Sequence, residues 1–135
     1  MKKIILSIIV LILLIISIFI VIKEEKVEKI KEPKVTKTTT VMQFGKYKNI
    51  KPDNIDYIEK SRYTEGGMDS RMITQRSEIE STYNYLNKRV VGSITTMACE
   101  DNTTIYKFYM KDGNNYSVEI ECGILVMGKN RYILK

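Results

Sequence analysis

The chain opens with an unbroken apolar run behind a short basic start. Residues 4–22 are nineteen apolar or small residues, and Met-Lys-Lys precedes them. At ~1.5 Å per residue a helix of this length rises about 28 Å, close to the ~30 Å hydrocarbon core of a bilayer. The pattern predicts an N-terminal transmembrane anchor over residues 1–22, in which residues 4–22 contact membrane lipid.

A cleaved secretory signal is the main alternative to a retained anchor, because a signal also begins with a basic stretch and an apolar run. The run is longer than the ~7 to 15 residues usual in signals, and no small pair follows it before Lys23, so the anchor is favoured. A buried helix of a soluble core is disfavoured, since the rest of the chain is too short to cover every face of it. Lipidation is disfavoured because Cys99 and Cys122 lie far from the run.

Two features indicate opposite orientations of the anchor. Two lysines precede the apolar run and six follow it up to Lys37, so the positive-inside rule alone places the C-terminal part in the cytoplasm. The short charged start, however, is typical of a signal anchor, which exports the chain behind it. We therefore expect a single-pass protein of the cell membrane with an extracytoplasmic C-terminal domain, and keep the cytoplasmic orientation as the alternative.

The composition changes twice behind the apolar run. Residues 23–38 mix lysine and glutamate with little apolar material and contain Pro33, which predicts a charged stalk or linker. Residues 39–135 are richer in β-branched and aromatic residues and leave room for one small domain. The chain is thus expected to consist of an anchor, a stalk and a small extracytoplasmic domain.

Hydrophobic periodicity in the downstream domain predicts a sheet and one helix. Ser77 begins an S-x-x-E capping box, and apolar side chains recur at helical spacing from Ile79 to Val90, which predicts an amphipathic helix of about fourteen residues that stops at Gly92. The expected fold is α+β: a small antiparallel sheet made of a hairpin and a C-terminal β-meander, with the helix packed on one face. The predicted strands are residues 39–44, 55–64, 70–75, 105–111, 115–122, 124–127 and 131–134.

Polarity alternation predicts the register of the meander. A three-residue loop over residues 112–114 pairs Lys107 with Glu119, whereas a two-residue turn would place Lys107 opposite a buried valine. The three-residue loop is therefore selected, and it puts Cys122 opposite Thr104. The residues expected to face the helix are Tyr106, Phe108, Met110, Val118 and Ile120. Those expected on the open face are Ile105, Lys107, Tyr109, Ser117, Glu119 and Glu121.

The two cysteines indicate a single bridge. Cys122 is expected near the loop that carries Cys99, and paired cysteines in a domain exposed to an oxidising space usually form a disulfide. Closing this loop would add roughly 3 kcal/mol to a small core. We predict a Cys99–Cys122 disulfide, with two unconnected packed thiols as the alternative.

The order of the predicted elements, together with their turn and packing residues, resembles that of a known group of domains. The residues that carry this resemblance are Gly66, Gly67, Glu78, Ile79, Tyr85, Leu86, Asn87, Asp112, Gly113, Gly128, Lys129 and Tyr132. With them, the stretch from Asp56 to Leu134 resembles small uncharacterised membrane-anchored or lipoprotein-type envelope domains of Gram-positive bacteria. The resemblance implies an envelope location and assigns no activity. The segment from Thr95 to Thr103, which holds Cys99, departs from it.

Net charge and residue composition exclude some functional classes for the domain. Of the net charge of +6, residues 1–37 hold +4 (eight Lys, four Glu) and residues 38–135 hold +2 (fourteen Lys or Arg, twelve Asp or Glu). The domain therefore lacks the basic stripe of a nucleic-acid-binding protein, and no nucleic-acid partner is expected. The chain has no histidine, which removes the usual general base and the commonest metal ligand.

Neither a catalytic site nor a bound metal or cofactor is expected. The turn from Asp112 to Asn115 lacks the remaining ligands of a calcium loop, including its closing glutamate. The alternative to a binding protein is a small envelope hydrolase that uses carboxylates. A domain secreted after signal cleavage is a further alternative. The candidate carboxylates are Glu100, Asp101, Glu119 and Glu121.

The nine tyrosines favour a binding role. Tyrosine offers a large contact area with little loss of side-chain entropy, although strand propensity explains many tyrosines equally well. We expect a non-catalytic module that binds an unknown protein or a cell-wall component. The candidate surface consists of Lys107, Tyr109 and Glu119 on the open sheet face and of Gly66, Gly67 and Met68 in the loop from Glu65 to Asp69, with Tyr47, Tyr63 and Tyr132 as further candidates.

Overall fold

A computed structural model describes residues 38–99 and 102–135 of the chain. The predicted anchor over residues 1–22 and the stalk up to residue 37 lie outside the described residues. Within the described part, no helix has both the length and the apolar character that a membrane crossing requires. The anchor and the stalk therefore stay predictions from the sequence.

The described residues form seven strands, one α-helix and three short 3₁₀ turns. The strands make one antiparallel sheet in the order β2-β1-β4-β5-β6-β7-β3, so β2 and β3 are its two edges and the helix α1 connects them along the chain. The predicted α+β fold with an antiparallel sheet and one helix is confirmed. The elements are the 3₁₀ turns Val41–Gln43, Gly45–Asn49 and Pro52–Asn54, strands β1 Ile55–Thr64 and β2 Gly67–Ile73, helix α1 Arg76–Asn87, and strands β3 Val91–Ile94, β4 Thr103–Met110, β5 Asn115–Glu121, β6 Ile124–Met127 and β7 Asn130–Leu134.

One face of the sheet forms the hydrophobic core. All five meander residues that were expected to face the helix are buried, which confirms that they lie on the core face of the sheet. Ile79 and Leu86 of α1 belong to the same buried cluster. Burial of apolar surface at ~25 cal/mol per Å² makes this cluster the main source of stability in so small a domain.

The segment before β1 belongs to the core but does not form the strand that was predicted there. The strand predicted over residues 39–44 is wrong, since Thr40 makes only an isolated bridge to Val90 before two 3₁₀ turns begin. The apolar side chains here recur at every third position, which matches the three residues per turn of a 3₁₀ helix and puts them on one side. The side chains at this spacing are Val41, Phe44, Tyr47 and Ile50, each at most 1% exposed.

Helix α1 starts differently from its prediction. Gln75 is the N-cap and no side chain caps the helix, so the capping box predicted at Ser77 is wrong. The start is held by Arg76 instead, whose guanidinium donates to the carbonyl oxygen of Pro52 and to the carboxylate of Asp53, both at 2.7 Å. A tertiary contact that is invisible in the local sequence thus replaces the local cap.

The helix also ends earlier than predicted, because the residues after it pair with the C-terminal residues of the chain. It stops at Asn87, and Val90 exchanges backbone hydrogen bonds of 2.9 Å with Lys135 in both directions. Gly92 is not the helix stop but lies in β3. A Cβ atom at Gly92 would come within 2.9 Å of the carbonyl oxygen of Ile133, so the absence of a side chain there allows β3 to approach β7.

The β4–β5 hairpin has a three-residue loop as predicted, but over residues 111–113. The amide of Met110 donates to the carbonyl oxygen of Asn114 at 2.9 Å, and Gly113 takes the positive φ of 86° that closes the loop. Tyr106 therefore pairs with Val118, so the predicted register is wrong by two residues. A shift of two leaves every side chain on its predicted face, because the side-chain period of a strand is two.

The turn between β1 and β2 is shorter than predicted. Thr64 pairs with Gly67, which leaves only Glu65 and Gly66 in the turn. Of the two glycines only Gly67 has a positive φ, 120°. Met68 and its neighbour Asp69 therefore belong to β2 and not to a loop.

Candidate functional site

The sheet face opposite the helix carries an ordered group of aromatic and charged side chains. We call Tyr57, Glu59, Lys107 and Tyr109 the tyrosine platform. The rings of Tyr57 and Tyr109 stack with centroids 4.4 Å apart and an interplanar angle of 18°. The Tyr109 hydroxyl donates to Glu59 at 3.1 Å, and the ammonium of Lys107 lies 4.8 Å from the centroid of the Tyr109 ring.

Strand alternation explains why these four side chains meet. β1 and β4 pair with Tyr57 opposite Tyr109 and Glu59 opposite Lys107, while Ile58 between them points into the core. Cross-strand neighbours lie about 5 Å apart, which lets the two tyrosine rings stack and places one anionic and one cationic residue next to them.

The platform is connected to the edge strand by hydrogen bonds. Ser70 of β2 donates to Glu59 at 3.5 Å, and its hydroxyl lies 3.0 Å from that of Ser61 on β1. A side-chain hydrogen bond with Tyr109 and the electrostatic effect of Tyr109 raise the pKa of Lys107 above its ordinary 10.5. The platform therefore presents two phenol rings, one cation and one anion in a fixed arrangement.

The structure brings some of the predicted surface residues together and separates others. Lys107 and Tyr109 belong to the platform, and Met68 lies on the same face of β2 with 61% of its surface exposed. Gly66 and Gly67 lie at the adjacent β1–β2 hairpin turn. Glu119 lies on β5 opposite Ile105, outside the platform. Tyr63 is exposed, whereas Tyr47 and Tyr132 are each 1% exposed core residues and were wrong as surface candidates.

Glu119 belongs to a second charged group with Glu121 and Arg131. The prediction that Glu121 is solvated on the open face is wrong, because it is 9% exposed and its carboxylate accepts a hydrogen bond from the Arg131 guanidinium. Partial burial raises the pKa of Glu119 above its ordinary 4.5, the charge of Glu121 and a side-chain hydrogen bond to it add to this effect, and Arg131 opposes it. The ion pair with Arg131 offsets the free-energy cost of burying the Glu121 carboxylate.

The raised pKa of Glu119 predicts a pH-dependent stability change. The folded protein holds this proton more tightly than the unfolded chain, so stability is lost as the pH rises through and above 4.5. Glu119→Gln should therefore raise the melting temperature at pH 7 by about 2 °C, a small amount because water screens the side chain, and have less effect at pH 4. Thermal unfolding at both pH values measures this. Glu65→Gln, in the exposed β1–β2 turn, is the control, and an equal effect of Glu119→Gln at both pH values would contradict the burial argument.

Cys99 and Cys122 are bonded to each other, with Cα atoms 6.1 Å apart, which agrees with the predicted disulfide. The corrected register places Cys122 opposite Asn102, to whose carbonyl oxygen its amide donates at 3.0 Å. Cys122 has a positive φ of 46° and forms a two-residue turn with Gly123, φ 80°. The bridge thus ties the β3–β4 connection to the β5–β6 turn.

Sequence reasoning missed half of the platform. Tyr57 and Glu59 were not among the candidates, although alternation around Ile58 places both on the face opposite the core. The hydrophobic pattern of β1 could have identified them, but it could not show that β1 and β4 are neighbours, since 38 residues separate the two strands along the chain.

Metal-binding clusters and surface depressions are the remaining features that bear on possible chemistry of the domain. No group of three or more Cys, Asp or Glu side chains within residues 38–99 and 102–135 is arranged to hold a metal ion. Two open depressions, of about 300 and 540 Å³, lie beside α1 and share Ser81 and Tyr85, and neither contains a carboxylate of the Glu119 group. Glu100 and Asp101 lie outside the described residues.

Comparison with known proteins adds no assignment. No protein family matches the chain, and no curated protein or solved structure shows significant similarity to it. The resemblance to envelope domains of Gram-positive bacteria therefore stays a prediction.

Proposed function

We propose that the chain is a membrane-anchored, extracytoplasmic, non-catalytic binding module whose tyrosine platform contacts a protein or a cell-wall component. The observation that supports this most is the ordered platform on a sheet face that no helix of residues 38–99 and 102–135 covers. The stacked rings are ordered in the free protein, and Glu59 and Lys107 are each held by a contact with Tyr109, so little side-chain entropy remains to be lost when a partner binds.

The chemistry of the platform suits a polar, extended partner. Phenol rings offer flat apolar area with a hydroxyl at the edge, which serves both peptide and sugar surfaces. Lys107 and Glu59 add one cation and one anion that can pair with charges of a partner. The membrane part of the proposal is supported by the apolar run over residues 4–22 and the charged stalk behind it.

Loss of the platform should abolish partner capture. Crosslinking of the full-length protein in membranes of its host, followed by identification of captured species, is expected to give a defined partner for the wild type. Tyr109→Ala with Lys107→Ala removes one stacked ring and the cation and should reduce capture at least about tenfold, as loss of central aromatic anchors does in other interfaces. The matched control is Tyr85→Ala in α1 with Lys88→Ala directly after the helix, which changes the same residue types. Equal capture by both variants would show that the platform is not the binding surface.

A small carboxylate hydrolase is the second candidate, because Glu119 has a raised pKa beside a second carboxylate. Glu119→Gln separates the two functions and leaves the ion pair of Glu121 with Arg131 in place. Unchanged partner capture by this variant favours the binding module. Loss of a turnover of cell-wall material that the wild type performs favours the hydrolase.

A further inference from the structure

Strand β2 forms an open edge of the sheet. Within residues 38–99 and 102–135, no strand pairs with its outer side, and six of its seven residues are exposed. The opposite edge differs, because the amide of Val91 in β3 donates to the carbonyl oxygen of Thr39 at 2.8 Å and Thr40 bridges to Val90. Natural edge strands are usually blunted by charged side chains, Pro, a bulge or shortness; β2 has no Pro or bulge over its seven residues, and its two charges, Asp69 and Arg71, are of opposite sign.

The hydrogen-bond phase shows which backbone groups of β2 point outward. The Met110 amide donates to Asn114, so even-numbered residues of β4 bond to β5 and odd-numbered residues bond to β1. The odd-numbered residues of β1 therefore bond to β4, and its even-numbered residues bond to β2. The β2 partners of those even-numbered residues are odd-numbered, so the odd-numbered residues of β2 bond to β1. The amides and carbonyls of Met68, Ser70 and Met72 therefore point away from the sheet.

The sequence of β2 is complementary to itself when read antiparallel about Ser70. Asp69 then lies opposite Arg71 of a second copy, and Arg71 lies opposite the second copy's Asp69. Met68 lies opposite Met72 in the same way, and Ser70 meets its own equivalent. The charges share one face and the methionines share the other, because the side-chain period of a strand is two.

We propose that β2 pairs antiparallel with β2 of a second copy of this chain, about a two-fold axis at Ser70. The outward backbone groups of the two copies then bond to each other, and two Asp–Arg pairs form at the positions without backbone bonds, where side chains lie closest. Met68 and Met72, 61% and 54% exposed, become partly covered. Arg71 also lies 3.3 Å from Glu78, an exposed ion pair that leaves the guanidinium accessible.

The pairing joins two sheets into one and places the platforms of both copies on the same continuous face. An edge contact of this size is small, so the association is weak for free molecules and is strengthened when both copies are held in one membrane. The inference does not depend on what the platform binds, because it uses only the β2 edge.

Position-specific crosslinking tests the register of this pairing. In full-length protein in native membranes, Ser70→Cys places two cysteines directly opposite each other, within the Cα range of a disulfide. Mild oxidation should give at least about tenfold more covalent dimer for Ser70→Cys than for Met68→Cys, because Met68 lies opposite Met72 and far from its own equivalent. Equal crosslinking at both positions, or none at Ser70→Cys, would overturn the proposal. Crosslinking of Ser70→Cys only to a different protein would overturn it as well.

Charge reversal gives an independent test. Asp69→Arg places like charges across the axis, and so does Arg71→Asp, so either change added to Ser70→Cys should reduce the covalent dimer that forms in native membranes. A mixture of the two restores both opposite-charge pairs and should form a mixed dimer. Thermal unfolding of each variant controls for the lost contact between Arg71 and Glu78. Failure of the mixture to associate, with both variants folded, would contradict pairing in this register.

Discussion

Phe44→Ala is expected to lower the free energy of unfolding by about 4 kcal/mol, a large part of the stability of a domain this small. Phe44 is 1% exposed and packs edge-to-face on Tyr132, with ring centroids 4.8 Å apart. Truncation to alanine removes the buried ring and leaves a cavity that neighbouring side chains fill only in part. Urea unfolding of wild type and variant measures the difference.

The control for this prediction is Lys48→Ala in the 3₁₀ turn Gly45–Asn49, which directly follows Phe44. Lys48 is exposed, so its truncation should change the free energy of unfolding by less than about 0.5 kcal/mol. If Phe44→Ala were as mild as Lys48→Ala, the segment before β1 would not be part of the core and the domain would begin later than described.

Removal of the disulfide should lower the free energy of unfolding by about 3 kcal/mol, because the bridge closes a loop across a sequence separation of 23. The variant with Cys99→Ala and Cys122→Ser tests this, and chemical reduction of the wild type should give a loss of similar size. Intact mass before and after reduction shows whether the bridge is present in the purified protein.

A second variant separates the bridge from the backbone conformation at Cys122. Its φ of 46° belongs to the left-handed region, which Asn tolerates better than Ser in two-residue turns. Cys99→Ala with Cys122→Asn should therefore be more stable than Cys99→Ala with Cys122→Ser by about 1 kcal/mol. A bridge-free variant as stable as the oxidised wild type would contradict the stabilising role of the disulfide.

The sequence predicted the parts of the fold that depend on local periodicity. Alternating polarity identified β4 and β5 and assigned Phe108 and Val118 to the core, and the spacing of Ile79 and Leu86 identified α1. These assignments hold because the side-chain period of each element is determined by its backbone geometry. The face assignments in β4 and β5 stayed correct despite the error of two residues in register, because side chains in a strand repeat every two residues.

The failures come from interactions between distant residues. Arg76 holds the start of α1 through residues more than twenty positions away, which no capping pattern reveals. The apolar residues from Val41 to Ile50 recur at a constant spacing of three, which fits 3₁₀ turns. The β-branched residues at positions 39–41 suggested a strand instead. Glu121 was placed in solvent because its partner Arg131 lies on a strand two places away in the sheet.

The candidate surface was predicted only in part. Lys107 and Tyr109 were found through the face assignment of one hairpin, whereas Tyr57 and Glu59 required the knowledge that β1 lies beside β4. Strand order depends on the packing of the whole sheet, and a single sequence contains no local signal for it.

The most direct test of the central claim is a topology measurement on whole cells that produce the full-length chain with Ser117→Cys. Ser117 is exposed on β5, so a cysteine there is accessible to a reagent in solution. We predict that the protein stays with the membrane fraction at high salt, still begins at Met1, and reacts on intact cells with a maleimide that cannot cross the bilayer. A full-length protein found in the soluble fraction, or one that reacts only after lysis, would contradict a binding module held outside the membrane.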